Sequence, residues 1–565
     1  MIDIKEHCLT ELLINSAARY PDRISYMEKE NGVYQSYTYT QILDKMYTVA
    51  TALIKRGFEA GERVALLSNN SIRWALVDYA CQATGIVDVP IYPTLLTDKV
   101  EFILKDSGAR CVFVQNKEQL DKVLSIATNE IPVELIVTFD NETASDKRVI
   151  TFDEFIKEGD PYDKDAVHKR MDAVKILDMA TIIYTSGTTG IPKGVMLSHQ
   201  NFLHNVTSAL NRIDTERHEI FMSFLPLSHV YERMFGHYFA QKIGSTIAFA
   251  ESIDALSENI KEVRPTIMAS VPRLYEKINA RIMDGVEQSP PLKQKIFFWA
   301  LKVGKEVVNN YTSIGKKPSG LLAIKFAIAD KLIFSKLKAA MGGRLKLFIS
   351  GGGTLKADIG EFFNAAGLQI LEGYGLTETS PVICVNEMDH FKFGYVGPPL
   401  DEVEVKIAED GEILTRGKHV MMGYYNDPAA TKEAIDADGW FHTGDIGELD
   451  EDGFLKITDR KKDVFKTSNG KMITPLPIEN ELKSSKYIEQ AVVIGNARKF
   501  CSAIIVAAEE PLQKFAKQNG IDLSTAELCQ HPKIQELFQS EIDQINHHLA
   551  RYETIKKFIL KAEPF

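Results

Sequence analysis

Tyr184-Thr-Ser-Gly-Thr-Thr-Gly-Ile-Pro-Lys-Gly-Val195 is the stretch on which the reading of this chain turns. Six of its first seven residues are Ser, Thr or Gly, and a single lysine, Lys193, follows Pro192. The apolar run Met179-Ala-Thr-Ile-Ile-Tyr184 in front reads as a buried strand. Behind it, Ser198-His-Gln-Asn can start a helix whose apolar residues Phe202, Val206 and Leu210 fall four apart. Strand, Gly/hydroxyl loop, lysine, helix is a backbone shaped to hold phosphates: glycines let amide N–H groups converge on an anion, hydroxyls add donors, and the ammonium neutralises charge. It is not the nucleoside-triphosphatase loop, which needs four residues between its glycines and Ser or Thr directly after the lysine. Here two residues separate Gly187 from Gly190, and Gly194 follows Lys193.

Before this stretch the chain alternates helical and strand patterns up to about residue 175, as a parallel sheet with covering helices would. Thr38–Met46 has a helix start, and Arg63–Ser68, Gly85–Tyr92 and Ala109–Gln115 read as strands. After it, Phe221-Met-Ser-Phe-Leu-Pro-Leu-Ser-His-Val-Tyr-Glu-Arg233 puts His229 and Tyr231 just past a strand, where α/β proteins bind ligands. Strands recur at 245–250 and 266–271, and Pro272 opens a helix.

From Asp284 to Met341 the pattern is mostly helical. Lys325 and Lys336 share one face of the segment 321–338 and Lys331 and Lys338 another, which favours a packed helical insertion over a membrane-surface helix. A strand at 345–350 then runs into Gly351-Gly-Gly353, where a flat ligand can approach bare backbone. Gln369-Ile-Leu-Glu-Gly-Tyr-Gly-Leu-Thr-Glu-Thr379 repeats the strand-then-glycine theme. It adds a ring at Tyr374 beside Gly375, a hydroxyl at Thr377, and a hard oxygen ligand for magnesium at Glu378. Glycine-rich strand ends of this kind in one sheet imply a shared nucleotide site. Asp445, on the glycine turn of Asp438–Asp445, can accept from both ribose hydroxyls. The charge cluster Asp459-Arg-Lys-Lys-Asp463 separates the long α/β region from a small α+β section with strands at 490–495 and 502–507.

The 565 residues exceed what one core usually serves. A net charge of −11 argues against a nucleic-acid binder. Six scattered cysteines suggest neither a disulfide framework nor a zinc site and fit a reducing cytoplasm. No signal peptide is evident at the N-terminus.

In order, Tyr184–Val195, Leu225-Pro-Leu-Ser-His-Val-Tyr231, Glu372–Thr379, Thr443-Gly-Asp445 and Asp459–Asp463 resemble the motif series of the adenylate-forming (AMP-binding) superfamily, and most of all its bacterial long-chain fatty-acid–CoA ligases. The resemblance implies an α/β fold: a large N-terminal domain of stacked sheets and helices (1–458, insertion about 284–341), a hinge at 459–463, and a small mobile C-terminal α+β cap at 464–565. It implies activation of a long-chain fatty acid by ATP to acyl-AMP, then transfer to coenzyme A, with Mg2+ required. By resemblance Thr185, Ser186, Gly187, Thr188, Thr189, Gly190 and Lys193 hold the β- and γ-phosphates. Gly351, Gly352, Gly353 and Tyr374, with Gly375, bracket adenine. Thr377 touches the α-phosphate, Glu378 binds magnesium, and Asp445 and Arg460 hold the ribose. His229 lies beside the reacting carboxylate and gates an acyl tunnel with Tyr231, Lys462 is the hinge, and Gly470 lines the pantetheine path.

One departure stands out. The family's C-terminal catalytic lysine sits in a Gly/Thr-Pro motif that Lys556, Lys557 and Lys561 do not match, so a chain cut short of that motif is expected. Transfer to an acyl carrier protein, or a catalytically impaired nucleotide- and lipid-binding homologue, are the alternatives. A cytoplasmic location is expected, with peripheral contact at the inner face of a membrane and a homodimer left open.

Overall fold

The computed structural model describes residues 2–126, 131–185, 191–213, 215, 218–461, 463–468, 471–563 and 565. Contacts divide the chain into two compact units, Met1–Val405 with Thr415–Phe441, and Lys406–Leu414 with His442–Phe565.

The first unit is built on two eight-stranded sheets. In one, the strands run in the order Gly423–Tyr424, Lys193–Ser198, Met179–Thr185, Val87–Ile91, Arg63–Leu67, Cys111–Val114, Leu135–Thr138 and Val149–Thr151. From Met179–Thr185 to Val149–Thr151 the neighbours are parallel. These strands are short, almost wholly apolar and buried, as strands covered on both faces are. The other sheet runs Val382–Val385, Gln369–Gly375, Leu347–Ser350, Ile267–Ser270, Ile220–Ser223, Thr246–Phe249, Ile24–Glu30 and Val33–Thr38. Its central strands are mutually parallel, and each edge is closed by an antiparallel strand.

One continuous core joins the two sheets. It takes Leu66, Ile183 and Leu197 from the first and Phe221, Ile267 and Leu347 from the second, through the helices Tyr39–Lys55, Ile72–Thr84 and His199–Leu210. Local signals set these helices where the sequence places them. Thr38 and Ser198 each close a capping box, with Gln41 and Asn201, and Pro272 opens Pro272–Glu287 at its first turn.

Two features depart from the sequence reading. Lys193 does not lead directly into a helix: Lys193–Ser198 is a strand, antiparallel to Met179–Thr185, so the phosphate-loop motif spans a hairpin. The short run Gly194-Val-Met-Leu-Ser198 is too brief to be told from a helix lead-in by periodicity. In addition, the glycine-rich ends after Thr185 and after Ser350 and Gly375 belong to different sheets, not one. The alternation of elements is the same whether a chain winds one sheet or two.

Within the first unit an ionic cluster lies wholly inside the protein. Arg233, fully buried, donates to Asp78 and to Asp88 (2.7 Å), while His237 and Tyr238 each meet Asp78 at 3.0 Å. Arg233 also donates to the Thr181 hydroxyl at 2.9 Å, tying the π-helix Arg233–Phe239 to the strand Met179–Thr185. Burial disfavours charge on Asp78, but Arg233 and His237 outweigh it and hold its carboxyl well below the usual range. Burial, partly offset by Arg233 and reinforced by the charge of Asp78, pushes Asp88 up to about 7.

In the second unit, Ile488–Ile494 pairs antiparallel with Cys501–Ala507, which pairs parallel with Ile555–Lys561. The helices Pro475–Leu482, Glu509–Gln518 and Pro532–Asn546 bury Ile478, Leu512 and Phe538 with this sheet. Lys556, Lys557 and Lys561 all stand exposed on its last strand. Among the described residues no helix is long and apolar enough to cross a membrane.

The cluster predicts an asymmetry between two isosteric substitutions. Asp78→Asn, which leaves Arg233 short of its charged partner, should cost roughly 3–5 kcal/mol in urea unfolding. Asp88→Asn, at a carboxyl whose charge burial and Asp78 already disfavour, should cost about 1 kcal/mol or less. Equal losses would mean that the two carboxylates share the charge evenly.

Candidate nucleotide and acyl site

Thr185 and Lys193 face each other as the last pair of the hairpin before its connecting segment, with the Thr185 hydroxyl 3.5 Å from the Lys193 carbonyl oxygen. Ser186, Gly187, Thr188, Thr189 and Gly190 lie outside the described residues. The other side of Lys193–Ser198 pairs with Gly423–Tyr424, and the Tyr425 N–H donates to the Gly194 carbonyl at 2.7 Å. This pairing lays the Tyr424 ring under the Lys193 ammonium, 4.8 Å from the ring centroid. The Tyr424 hydroxyl donates to Glu378 Oε1 at 2.8 Å. Burial, and then the Glu378 carboxylate, raise the phenol far above its ordinary value, so it stays a donor. Lys193 on one sheet and Glu378 beyond the end of the other are thus joined through Tyr424, a residue the sequence reading passed over. Its only sequence signal is Gly423-Tyr424-Tyr425 after Val420-Met421-Met422, which is too common to single out.

Glu378 sits in the single 3-10 turn Thr377–Thr379 after the strand Gln369–Gly375. The turn is tight because the chain doubles back: the Leu376 N–H donates to the Pro381 carbonyl at 3.1 Å and to the Thr379 hydroxyl at 2.9 Å. A Cβ on Gly375 would stand 1.8 Å from the Pro381 oxygen, so only glycine fits there. Thr377 and Glu378 are half-buried. The Tyr374 ring is almost enclosed, at 8 % exposure, and offers a base only a small edge of surface.

The strand Leu347–Ser350 ends in the same region of chemistry. A Cβ on Gly351 would meet the Tyr231 ring at 3.2 Å, and the Tyr231 hydroxyl donates to the Ile349 carbonyl at 2.7 Å. Gly352 adopts φ +72°, and both Gly352 and Gly353 are exposed. His229 caps the turn Val230–Glu232, its Nδ1 accepting the Tyr231 N–H at 3.1 Å. That bond puts the proton of a neutral ring on Nε2, which then serves as a donor. Burial lowers the imidazole pKa, so His229 is neutral at physiological pH.

Beside Tyr231 lies an apolar cavity of about 20 Å³, lined by Ala209, Ile213, Tyr231, Met234, Phe235, Ile349, Val382 and Val385. Met234 and Phe235 come from the π-helix that the ionic cluster pins. As it stands the cavity holds about one water, so a long chain would have to displace these side chains.

In the second unit Asp445 is 6 % exposed, not on a glycine turn as the sequence suggests but within the strand Phe441–Leu449, where it is fixed from both sides. The Asp445 N–H donates to the Thr443 hydroxyl at 3.1 Å, which donates to the Ile413 carbonyl at 2.7 Å, and the Gly444 N–H donates to Glu412 at 3.0 Å. Arg460 is the cross-strand partner of Asp445, with its Nε 3.5 Å from Oδ1 and its side chain 67 % exposed. Lys462 and Gly470 lie outside the described residues.

A magnesium ion fits Glu378 in one specific way. Tyr424 occupies one carboxylate oxygen and orients the group, and no described cluster of three or more His, Cys, Asp or Glu could cage a metal. A single carboxylate serving an ion that takes its other oxygens from phosphates and water matches magnesium's habits.

The family model described as "AMP-binding enzyme" matches residues 13–425, and that described as "AMP-binding enzyme C-terminal domain" matches residues 462–563. The long-chain-fatty-acid–CoA ligase FadD15 of Mycobacterium bovis is 34% identical over 95% of this chain and 88% of its own. The peroxisomal long chain acyl-CoA synthetase 6 of Arabidopsis thaliana is 33% identical over 94% of this chain and 78% of its own. Among solved structures, the anthranilate CoA ligase AuaEII in complex with anthranoyl-AMP superposes with a TM-score of 0.74 at 18% identity, covering 99% of this chain and 94% of that one.

Glu372, two residues before Tyr374, gives a pH test of this region. Burial, only partly offset by the Gly394 N–H, pushes its carboxyl up from 4.5 to about 8. The folded protein therefore binds a proton that the unfolded chain has lost between these values, and stability falls as pH rises through the window. Glu372→Gln should be nearly neutral at pH 5. By pH 8.5 it should stabilise by roughly 2 kcal/mol or more. A gain independent of pH would show that Glu372 ionises normally.

Proposed function

This chain belongs to the AMP-binding enzyme family, and on that premise we propose the reaction it performs: ATP-dependent activation of a long-chain fatty acid to acyl-AMP, then to acyl-CoA, with release of pyrophosphate and AMP. The observation that carries the reading is the joining of Lys193, Tyr424 and Glu378 across two sheets, in a unit that also holds an apolar cavity lined by Tyr231. Cation and carboxylate held this close suit a triphosphate, and a cavity without polar lining suits an acyl chain.

In the first step a carboxylate oxygen attacks the α-phosphorus and the pyrophosphate leaves. Both reactants are anions, so the barrier is lowered by donors and cations fixed in advance. Lys193, held over Tyr424, supplies positive charge to the departing phosphates. Thr185, with Ser186, Gly187, Thr188, Thr189 and Gly190, completes the loop that receives them. Thr377 donates to the α-phosphate, and Gly351, Gly352, Gly353, Tyr374 and Gly375 flank the adenine. Glu378 would hold magnesium, which when bound neutralises phosphate charge. His229, neutral and with Nε2–H as donor, orients the attacking carboxylate without protonating it. Asp445 has a buried carboxylate of the kind that takes two ribose hydroxyls, and Arg460 is its charge partner.

In the second step the thiol of coenzyme A attacks the acyl carbon, AMP leaves, and the thiol proton is lost. The hinge at 459–463 with Lys462, and the pantetheine path at Gly470, belong to this reading. A long acyl chain partitions into bilayers, so a peripheral place on a membrane is part of it too.

With palmitate the purified enzyme should yield AMP and pyrophosphate in equal amounts, with activity falling along a ladder of acids from oleate down to acetate. ADP and orthophosphate as products, or turnover confined to acetate, would sink the assignment. Tyr424→Phe, which frees Glu378 but keeps the ring under Lys193, should lower kcat for adenylation about tenfold with little change in the KM for palmitate. Ala209→Val should narrow the cavity and cut kcat/KM for palmitate at least about tenfold, while butyrate changes less than about threefold. Equal losses on both acids would place the acyl chain elsewhere.

A further inference from the structure

The helical insertion carries a surface that neither the reaction nor the core uses. Gly320–Ala329 continues as a π-helical turn, Asp330–Phe334, into Ser335–Ala340. One face, with Leu322, Phe326, Ala329 and Leu337, packs on Ala300 and Val303 of the helix Pro291–Asn310. The opposite face is apolar as well. Leu321 (76 %), Ile324 (58 %), Ile328 (47 %) and Leu332 (42 %) are exposed at spacings of three and four, which aligns them in one stripe. A helix apolar on two faces has one more face than its own domain covers.

The charges around the stripe say what covers it. Lys325 and Lys336 border it on one side and Lys331 on the other, all exposed and, among the described residues, without an ion pair. Lys338 differs in being paired with Asp330 at 2.7 Å. Residues 291–341 hold ten lysines against two acidic residues, in a chain whose net charge is −11. An acidic surface would repel most of this molecule and attract this segment. By sequence, lysines on more than one face argue against membrane contact. In the structure the lysines line both edges of an exposed stripe, a placement from which stems can lie along apolar surface while heads reach outward.

We propose that this face docks on a bilayer rich in anionic phospholipid, with Leu321, Ile324, Ile328 and Leu332 entering the headgroup boundary and Lys325, Lys331 and Lys336 meeting lipid phosphates. The helix lies in the interface and does not span it. The proposal rests on this surface alone. It deepens the acyl-activating reading by naming where a water-insoluble substrate would be collected.

The test is cosedimentation of the full chain with vesicles, without ATP or fatty acid, so that its outcome is independent of the reaction. Wild type should bind vesicles of equimolar phosphatidylglycerol and phosphatidylcholine at least roughly tenfold more tightly than vesicles of phosphatidylcholine alone, and salt should release it. The triple variant Leu321→Ser, Ile324→Ser, Ile328→Ser should lose about tenfold or more in affinity for the anionic vesicles, and so should Lys325→Gln, Lys331→Gln, Lys336→Gln. Both should keep the wild-type melting temperature, since every altered side chain is exposed. Wild type remaining in the supernatant, or variants that bind as wild type does, would overturn the proposal. So would a wild-type dimer that the serine variant converts to monomer, because the face would then seat a second copy of the chain.

Discussion

The antiparallel pairing of Thr185 with Lys193 is the constraint on which the rest depends. Loops rich in glycine and hydroxyls have high conformational entropy, and one that must meet a polyanion gains nothing from its donors unless its ends are fixed. Here both ends are strand residues in an eight-stranded sheet. Met179–Thr185 reaches Val87–Ile91 on its far side, and Lys193–Ser198 reaches Gly423–Tyr424 on the other. The loop's anchor is therefore as rigid as the sheet, and Arg233 stiffens it further by bonding Thr181 in mid-strand.

The same scaffold sets the charge states around the candidate site. Tyr424 keeps its proton beside Glu378, His229 stays neutral with its donor on Nε2, and Glu372 is pushed toward its protonated form by burial. Positive charge comes from Lys193, held in place by an aromatic face. An enzyme that brings a carboxylate to a triphosphate benefits from this distribution. One cation and neutral donors would face the reacting groups, and one oriented carboxylate would be left for a metal.

The π-helix Arg233–Phe239 links the interior electrostatics to the apolar cavity. Its first residue sits in the buried ionic cluster, and the next two line the apolar cavity. A chain entering that cavity must move side chains on an element anchored through the Arg233 side chain to two aspartates, so rotamer changes cost less than displacement of the helix. The insertion beyond it divides its surface differently, since one apolar face secures it to the domain and the other remains for an outside surface.

The amino-acid sequence alone determined which elements form and where they start. The capping boxes at Thr38 and Ser198, Pro272 at a first turn, and the short apolar strands are local signals, each contained in a few residues. Motif order determined the family in the same way. Only the tertiary structure decided that the strands divide between two sheets, that Lys193 begins a strand, and that Tyr424 connects Lys193 to Glu378, which lie far apart along the chain. Those facts depend on which edges pair and which faces pack, interactions between residues distant in sequence. Periodicity reports only that a residue is apolar or polar, so it could not tell that the stripe Leu321, Ile324, Ile328 and Leu332 is left outside while Leu322 and Phe326 are taken into the core.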